Sequence, residues 1–458
     1  MSLSSSLLIA VQSMLTDQGA MNVVSNNISN VNTPGYTREV ANLVENPPAM
    51  YGGLPFGTGV DLQSVQSVRD NVLQLRLNQE TQNQGKFDTL SMGLNQIQTL
   101  FNEPAGSGLQ SLISQFFNSF QQLSADPTNS GLRQSVISSA QALAAGFNQT
   151  ASALVTQQQD ADQAVVQTAQ QINQLTSQIA KLNGQISATS GGGQDANTFI
   201  DQRGQLINQL SQLVDVQSIT ADGGSLTLTT TGGAALVVGN QSFNLQTETN
   251  LSTGFHDVYA QGADITSSIQ SGDLAADIQL RDQEIPSIVS NLDTLANGIA
   301  TSANTQNAAG FDLNGNPGAN IFVPPTGVAG SALNLAVTIT DPNTIGASSD
   351  GTPGDNANAT ALANLQNQNI VSGQTPIDFY SGIVFQVGSD ASNASSQLSG
   401  EKLLVQQLQD QVNAVSGVSL DEEAANLVQF QNAYNASARV ASIVASLFQT
   451  AINMTGSS

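Results

Sequence analysis

The chain has 458 residues, with 34 acidic against 10 basic side chains and a net charge of −24. It therefore lacks the clustered cations that nucleic acid or an anionic membrane surface requires. It has no Cys and a single His, which removes disulfides, thiolate nucleophiles, Cys-ligated metals and any metal site needing two histidines. With 5% aromatics, no Trp and only 10% charged residues, its cores must be built from Leu, Ile, Val and Ala, and its surfaces from Gln, Asn, Ser and Thr. That composition suits long helices packed against neighbours, and the length suits two to four domains.

Residues 1–31 predict one amphipathic helix. Leu3, Leu7, Ala10, Met14, Met21, Val24, Ile28 and Val31 recur at steps of three and four, with Asp17 in the remaining slot. This is the spacing of a helix that buries a stripe against another helix. Asp17 is the only formal charge in the first 37 residues. Asn32-Thr33-Pro34-Gly35 breaks the helix, because Pro34 lacks an N–H and Gly35 can take a positive φ. Residues 36–70, with Pro47, Pro48, Pro55 and the glycines from Gly52 to Gly59, read as extended or irregular.

A second helix is predicted from about Arg69 to Asn102, ended by Glu103-Pro104-Ala105-Gly106, and a shorter one from Leu109 to Leu123 carrying Leu112, Phe116, Phe117 and Phe120. Asp126-Pro127 reads as the capped start of the next helix. That helix continues with little punctuation; from Ser130 to Ser187 it would span about 87 Å at 1.5 Å per residue, too long for one compact globule. Gly191-Gly192-Gly193 closes it, and a helix from Thr198 to Val214 follows.

From 216 to 271 the texture changes to Thr, Val and Gly. Short alternating runs such as Leu226-Thr227-Leu228-Thr229 are separated by Asp222-Gly223-Gly224, Gly232-Gly233 and Gly239-Asn240, which predicts a small antiparallel β domain. Helix returns from Leu274 to Ala308. Residues 310–356 are rich in Gly, Pro and Asn, with strands expected at Ile321–Val323 and Leu333–Ile339, and a short helix is expected over 356–370. Helices over 376–416 and 420–454 complete the chain. In the last, Leu427, Phe430, Tyr434, Ser437, Ala441, Val444, Phe448 and Ala451 form a second heptad stripe, and no charge follows Val440.

The expected fold is mainly α with a smaller all-β domain, and elongated. The terminal helices pair as a coiled coil over 1–40 and 417–458. A long-helix bundle with some extended segments occupies 41–215 and 272–416, and the β domain over 216–271 is inserted in it. Ends built to pair in this way point to assembly rather than catalysis.

The run Ser25-Asn26-Asn27-Ile28-Ser29-Asn30-Val31-Asn32-Thr33-Pro34-Gly35-Tyr36-Thr37-Arg38 resembles the N-terminal signature of bacterial flagellar axial proteins, the group of rod, hook and hook-associated proteins. Residues 417–440, with Asp421-Glu422-Glu423-Ala424-Ala425-Asn426, look like the matching C-terminal signature, in wording nearest to the hook-associated members at the hook–filament junction. Asp201-Gln202-Arg203 and Ala308-Ala309-Gly310-Phe311-Asp312-Leu313-Asn314-Gly315 are also similar to that family.

The resemblance implies a structural, non-enzymatic subunit with no cofactor, exported through the flagellar type III apparatus without signal cleavage. It implies a ring-like homo-oligomer at the distal end of the hook, outside the cell, between hook protein and the next hook-associated protein. An export chaperone would bind the C-terminal helix. The N-terminus lacks the basic region and continuous apolar stretch of a secretory signal, and no run reaches the ~18 apolar residues of a membrane span. A hook or rod subunit is the nearest alternative. From another class, the alternative is a secreted adhesin or binding protein using the β insert.

The candidate assembly residues are Leu3, Leu7, Met14, Met21 and Ile28 on the first helix; Asn26, Asn27, Asn30, Pro34, Gly35, Tyr36 and Arg38 in the motif after it; and Leu427, Phe430, Tyr434, Arg439, Val444 and Phe448 on the last. A second apolar face runs beside each stripe, through Leu8, Val11, Leu15 and Ile28 and through Val440, Ile443, Leu447 and Met454. One face can bind the intramolecular partner and the other a neighbouring subunit. Isolated helices of this length are marginal in water, so both ends are expected to order on assembly.

Asp421-Glu422-Glu423 reads first as favourable charge at a helix start, with a chaperone or intersubunit contact as the sharper alternative. His256 reads as an exposed polar strand residue. Asp312-Leu313-Asn314-Gly315-Asn316-Pro317 is not a calcium loop, because Pro317 stands where that loop requires Gly and Val323 where it requires Glu.

Overall fold

A computed structural model describes residues 3–101, 108–192, 195–220 and 224–455. The turns expected at Glu103-Pro104-Ala105-Gly106, Gly193 and Asp222-Gly223 lie outside them. The chain is mainly helical and elongated, with paired terminal helices, a long-helix bundle and a smaller antiparallel β region.

Helix α1 (Leu3–Asn30) packs along α10 (Leu420–Thr455). The two run antiparallel, since the chain leaving α1 reaches Arg38, which pairs with Glu422 at the start of α10. The opposite side of α1 carries a β-ladder. Strand β1 (Glu39–Glu45) pairs antiparallel with β4 (Val60–Ser67), and the small hairpin β2 (Ala49–Tyr51) and β3 (Leu54–Phe56) forms its tip. Residues 41–67, expected to be extended segments of the bundle, thus lie against α1. The approach is close because the helix is small there: a Cβ on Gly19 would come within 2.7 Å of Leu62.

The bundle is built from α2 (Asn71–Phe101), α3 (Leu109–Ala125), α4 (Ser130–Gly191), α7 (Ile285–Ala309), α8 (Ala357–Asn364) and α9 (Pro376–Ser416). Helix α3 places Leu109, Ile113, Phe116, Phe117, Phe120 and Leu123 on one buried face, and Phe116 packs its ring 5.4 Å from Phe322 across the core. Helix α4 does not begin at Asp126-Pro127. Asp126 closes α3, donating its N–H to Leu123, and Asn129 caps α4 by accepting from Gly131 and Leu132. The Asp-Pro pair instead makes the turn between the helices, where the Pro127 carbonyl accepts from buried Arg133 at 2.7 Å.

Helix α4 runs 62 residues and enters two cores in succession. Val136 to Leu154 lie in the bundle core; Val165 to Ala180 lie in a second core with α5 (Asn197–Leu213) and the β domain. There β5 (Gln217–Thr220), β6 (Leu226–Thr229), β7 (Ala235–Val238) and β8 (Gln241–Ser242) form one antiparallel sheet. Strands β9 (Leu245–Thr249), β10 (His256–Ala260) and β11 (Ala263–Asp264) form another. Leu226 and Leu228 point into the core while Thr227 and Thr229 are half-exposed, the period of two read from sequence.

The helix expected over 274–308 is α6 (Asp273–Gln279) and α7 joined by a π-helical turn, Leu280–Glu284. Pro286 explains the widening, since it has no N–H to give and crowds the preceding turn. The strands expected at 321–323 and 333–339 reduce to one isolated bridge, Phe322 to Val337. Backbone bonds from Val323 to Ala336 and from Thr338 to Ile321 flank it, and side chains on α7 hold the rest of the segment. Asn304 accepts from the N–H groups of Ile321 and Phe322 and donates to the Phe322 carbonyl, and Asp293 accepts from Gly330 and Ala332.

Candidate assembly interface

The stripes read from sequence face each other. On α10, Leu427, Phe430, Tyr434, Ser437, Ala441 and Phe448 are half-buried and Val444 is buried. On α1, Ala10 and Val24 are buried, Leu7, Met14, Met21 and Ile28 are half-buried, and Leu3 is exposed at the open end. The flanking face stays in solvent: Leu8 is 70% exposed, Leu15 57%, Ile443 59% and Met454 75%. Each helix of the pair therefore keeps an apolar face uncovered.

The asparagine motif has a different task. Asn27, fully buried, donates to the Glu39 carbonyl at 2.8 Å and accepts from the Glu39 N–H at 2.9 Å, doing for β1 what a neighbouring strand would do. The Tyr36 hydroxyl donates to the same Asn27 oxygen at 2.8 Å. Burial, and then the carboxylates of Glu39, Asp201 and Glu423, push the Tyr36 phenol above its ordinary range, so it remains a donor. Asn26 reaches the Glu39 carboxylate, and Asn30 bonds back to Asn26 while accepting from the Thr33 hydroxyl.

Pro34 and Gly35 turn the chain towards α5. Gly35 has φ +72°, and the space a Cβ would need is filled by Gln205, which donates to the Pro34 carbonyl. Asp201 then takes the Thr37 hydroxyl at 2.6 Å and also pairs with Arg69. Two residues on, Arg203 points elsewhere, donating to Asn183 on α4 and to the Gly224 carbonyl, both at 2.7 Å. The short Asp-Gln-Arg motif thus ties α5 to the terminal module with one residue and to the β domain with another.

Arg38 pairs within the chain, with Glu422 at 2.5 Å, and its N–H donates to the Ser416 carbonyl at 2.8 Å. The acidic start of α10 therefore does more than face the helix dipole. Arg439 lies exposed on α10.

Sequence reasoning missed the face of α1 that meets the ladder. Gln12 bonds Asp61, Thr16 donates to the Val60 carbonyl at 3.0 Å, and Gly19, Val23 and Asn27 continue the contact. Their spacing of three and four is a helical face, hidden because it is largely polar.

His256 is not a freely exposed strand residue. Its ring nitrogen lies 2.7 Å from Asp162 of α4, which also pairs with fully buried Arg281 at 2.8 Å. Burial pushes Asp162 up, but hydrogen bonds from His256 and Arg281 outweigh it and hold the carboxyl below its usual range. This node joins the two cores where α4 passes between them. In the 312–317 loop Asp312 is occupied by the N–H groups of Asn314 and Asn316, and no group of three metal-ligating side chains occurs among the described residues.

Paired terminal helices, a ladder held to them by hydrogen bonds of Gln12, Thr16 and Asn27, and a long two-core arm define an elongated structural subunit of the flagellar axial type. Sequence profiles agree segment by segment. The flagella basal body rod protein profile matches residues 7–37, the flagellar hook-associated protein FlgK helical domain matches 94–322, and the flagellar basal body rod FlgEFG protein C-terminal profile matches 409–454. The flagellar hook-associated protein 1 of Bacillus subtilis is 30% identical over 98% of this chain and 97% of its own. That of Salmonella typhimurium is 27% identical over 97% and 99%, and that of Escherichia coli 28% over 97% and 98%. The chain belongs to the flagellar hook-associated protein 1 family. Its fold is similar to that of the flagellar hook junction protein FlgK from Burkholderia pseudomallei, with a TM-score of 0.67 at 18% identity, covering 74% of this chain and all of that one. No helix among the described residues is long and apolar enough to cross a membrane.

Proposed function

We propose that this chain is a structural, non-catalytic subunit of the junction between flagellar hook and filament, polymerising through its terminal helices. The observation that carries this reading is that α1 and α10 each leave an apolar face open to solvent. A surface of that kind is costly in a monomer and useful in an assembly. The half-buried stripe through Leu7, Met14, Met21, Leu427, Phe430, Tyr434 and Phe448 fixes the pair; the open face meets neighbouring copies. Hook protein lies below this ring and the next hook-associated protein above it. The chain reaches that place through the flagellar type III apparatus, with α10 held by an export chaperone beforehand.

Electron microscopy of cells lacking the gene, with an assay for flagellin in the medium, tests this. Bare hooks with free flagellin outside are expected. Missing hooks would make the chain a hook or rod subunit, and intact filaments would remove it from the axial structure and turn attention to binding by the β domain.

A further inference from the structure

Between the first turns of α1 and the tip formed by β2 and β3 lies a groove of about 290 Å³. Leu8 and Ile9 line it from the helix, Ala49 and Phe56 from the tip, and Gln12 and Asp61 close it. We infer that this groove receives α10 of a second copy of this chain, with Arg439 of that copy against Asp61. The inference rests on the proposed polymerisation through terminal helices and names the surface that it uses.

Two observations select the occupant. The first is apolar fit: Val440, Ile443 and Leu447, spaced to share one face of α10, are 48%, 59% and 48% exposed, and no charge follows them. The second is charge. Arg38 is taken by Glu422, whereas Arg439, next to that apolar face, has no carboxylate partner among the described residues. The groove side offers the complement: Asp61 and Glu45 are exposed, neither has a cationic partner among the described residues, and Asp61 accepts from Gln12.

The arrangement also sets the symmetry. Helix α1 has α10 on one side and the ladder on the other, so the donor face and the groove are different surfaces of one module. A contact that joins two different surfaces repeats head to tail, which gives a ring or helix rather than a closed two-fold dimer.

The chain has no native Cys, which makes disulfide mapping direct. Full-length protein carrying both Asp61→Cys and Arg439→Cys should give a ladder of covalent multimers on mild oxidation, and either single variant only monomer on a denaturing gel. Cross-linking confined to monomer would overturn the inference. In sedimentation of the full chain, Arg439→Glu should weaken self-association at least tenfold, and adding Asp61→Arg should restore it. Association unchanged in Arg439→Glu, or not restored by the swap, would also overturn it. Leu427→Asp separates the two levels: if it still self-associates, polymerisation through terminal helices fails altogether. If Leu427→Asp abolishes association while Arg439→Glu leaves it intact, only this contact fails.

Discussion

The carboxylate of Asp201 on α5 accepts both the backbone N–H of Thr37, at 3.2 Å, and its hydroxyl, at 2.6 Å, across 164 positions of sequence. Arg69, just before α2, pairs with the same carboxylate. One side chain thus gathers the segment leaving α1 and the segment entering the bundle. Burial raises the Asp201 carboxyl above its ordinary range, while Arg69 and Thr37 oppose that rise.

Asp201→Ala leaves a buried N–H and a mostly buried guanidinium without their partner. The expected loss is about 1–3 kcal/mol, the usual cost of orphaning such groups. Amide exchange should quicken at residues 37 and 38 and proteolysis should appear over 31–38, with the α4 core unchanged. Equal destabilisation of the whole chain would contradict this local role.

Asn27→Ala removes a donor and an acceptor that Glu39 cannot replace from solvent, because Asn27 is fully buried. A loss of about 2 kcal/mol is expected, with detachment of the β1–β4 ladder. Tyr36→Phe removes one bond to the same oxygen and should cost about 1 kcal/mol. Thermal melts of the two variants, read together, give the order.

Acidic side chains packed under α2 make stability fall as pH rises. Burial, and then the charge of Asp273, push Asp277 up to about 7; burial brings Asp273 and Asp215 to about 6 each. The folded chain therefore binds more protons than the unfolded chain between about pH 4 and 7. The contribution of these groups is fully present below their unfolded pKa, near 4, and is lost as pH rises through 6 to 7. Asp277→Asn can still meet the Thr168 hydroxyl without carrying charge. It should stabilise the protein by roughly 1–2 kcal/mol at pH 8 and flatten the melting temperature between pH 4 and 7. A variant less stable than the parent at pH 8 would contradict this.

Of the described residues of α10 only Glu423 and Val444 are buried, so this helix has little to hold it in a monomer. Amide exchange in the isolated chain should show weak protection over 3–31 and 427–454 and strong protection in α4. Leu427→Asp and Phe448→Asp, which put charge into the half-buried stripe, should abolish filament growth on hooks in cells.

Periodic segments were readable in the sequence because burial leaves a period. The stripe on α10 and the run of α4 needed no more than that. What sequence reasoning missed was set by polar contacts between distant segments, which leave no period. Asp201-Gln202-Arg203 and the motif ending at Arg38 were both visible, but nothing local says that Asp201 holds Thr37. The face through Gln12, Thr16 and Asn27 carries no apolar stripe, so its burial leaves no mark in the sequence. The strands expected near 321 and 335 shrink to a single bridge for a related reason: the Asn304 amide of α7 takes the backbone groups of Ile321 and Phe322 that a longer ladder would use.

Helix α4 crosses from one core into the other without a break, and the Asp162–Arg281 pair braces it where it crosses. The terminal module, by contrast, is joined to the rest by two covalent strands, residues 67–71 and 416–420, and by polar contacts at the start of α5 through Asp195, Asn197, Asp201 and Gln205. Under torsional load the arm should behave as one stiff beam, and elastic deformation should concentrate at this narrow wrist. The outer body can then swivel without disturbing the packing of the terminal helices.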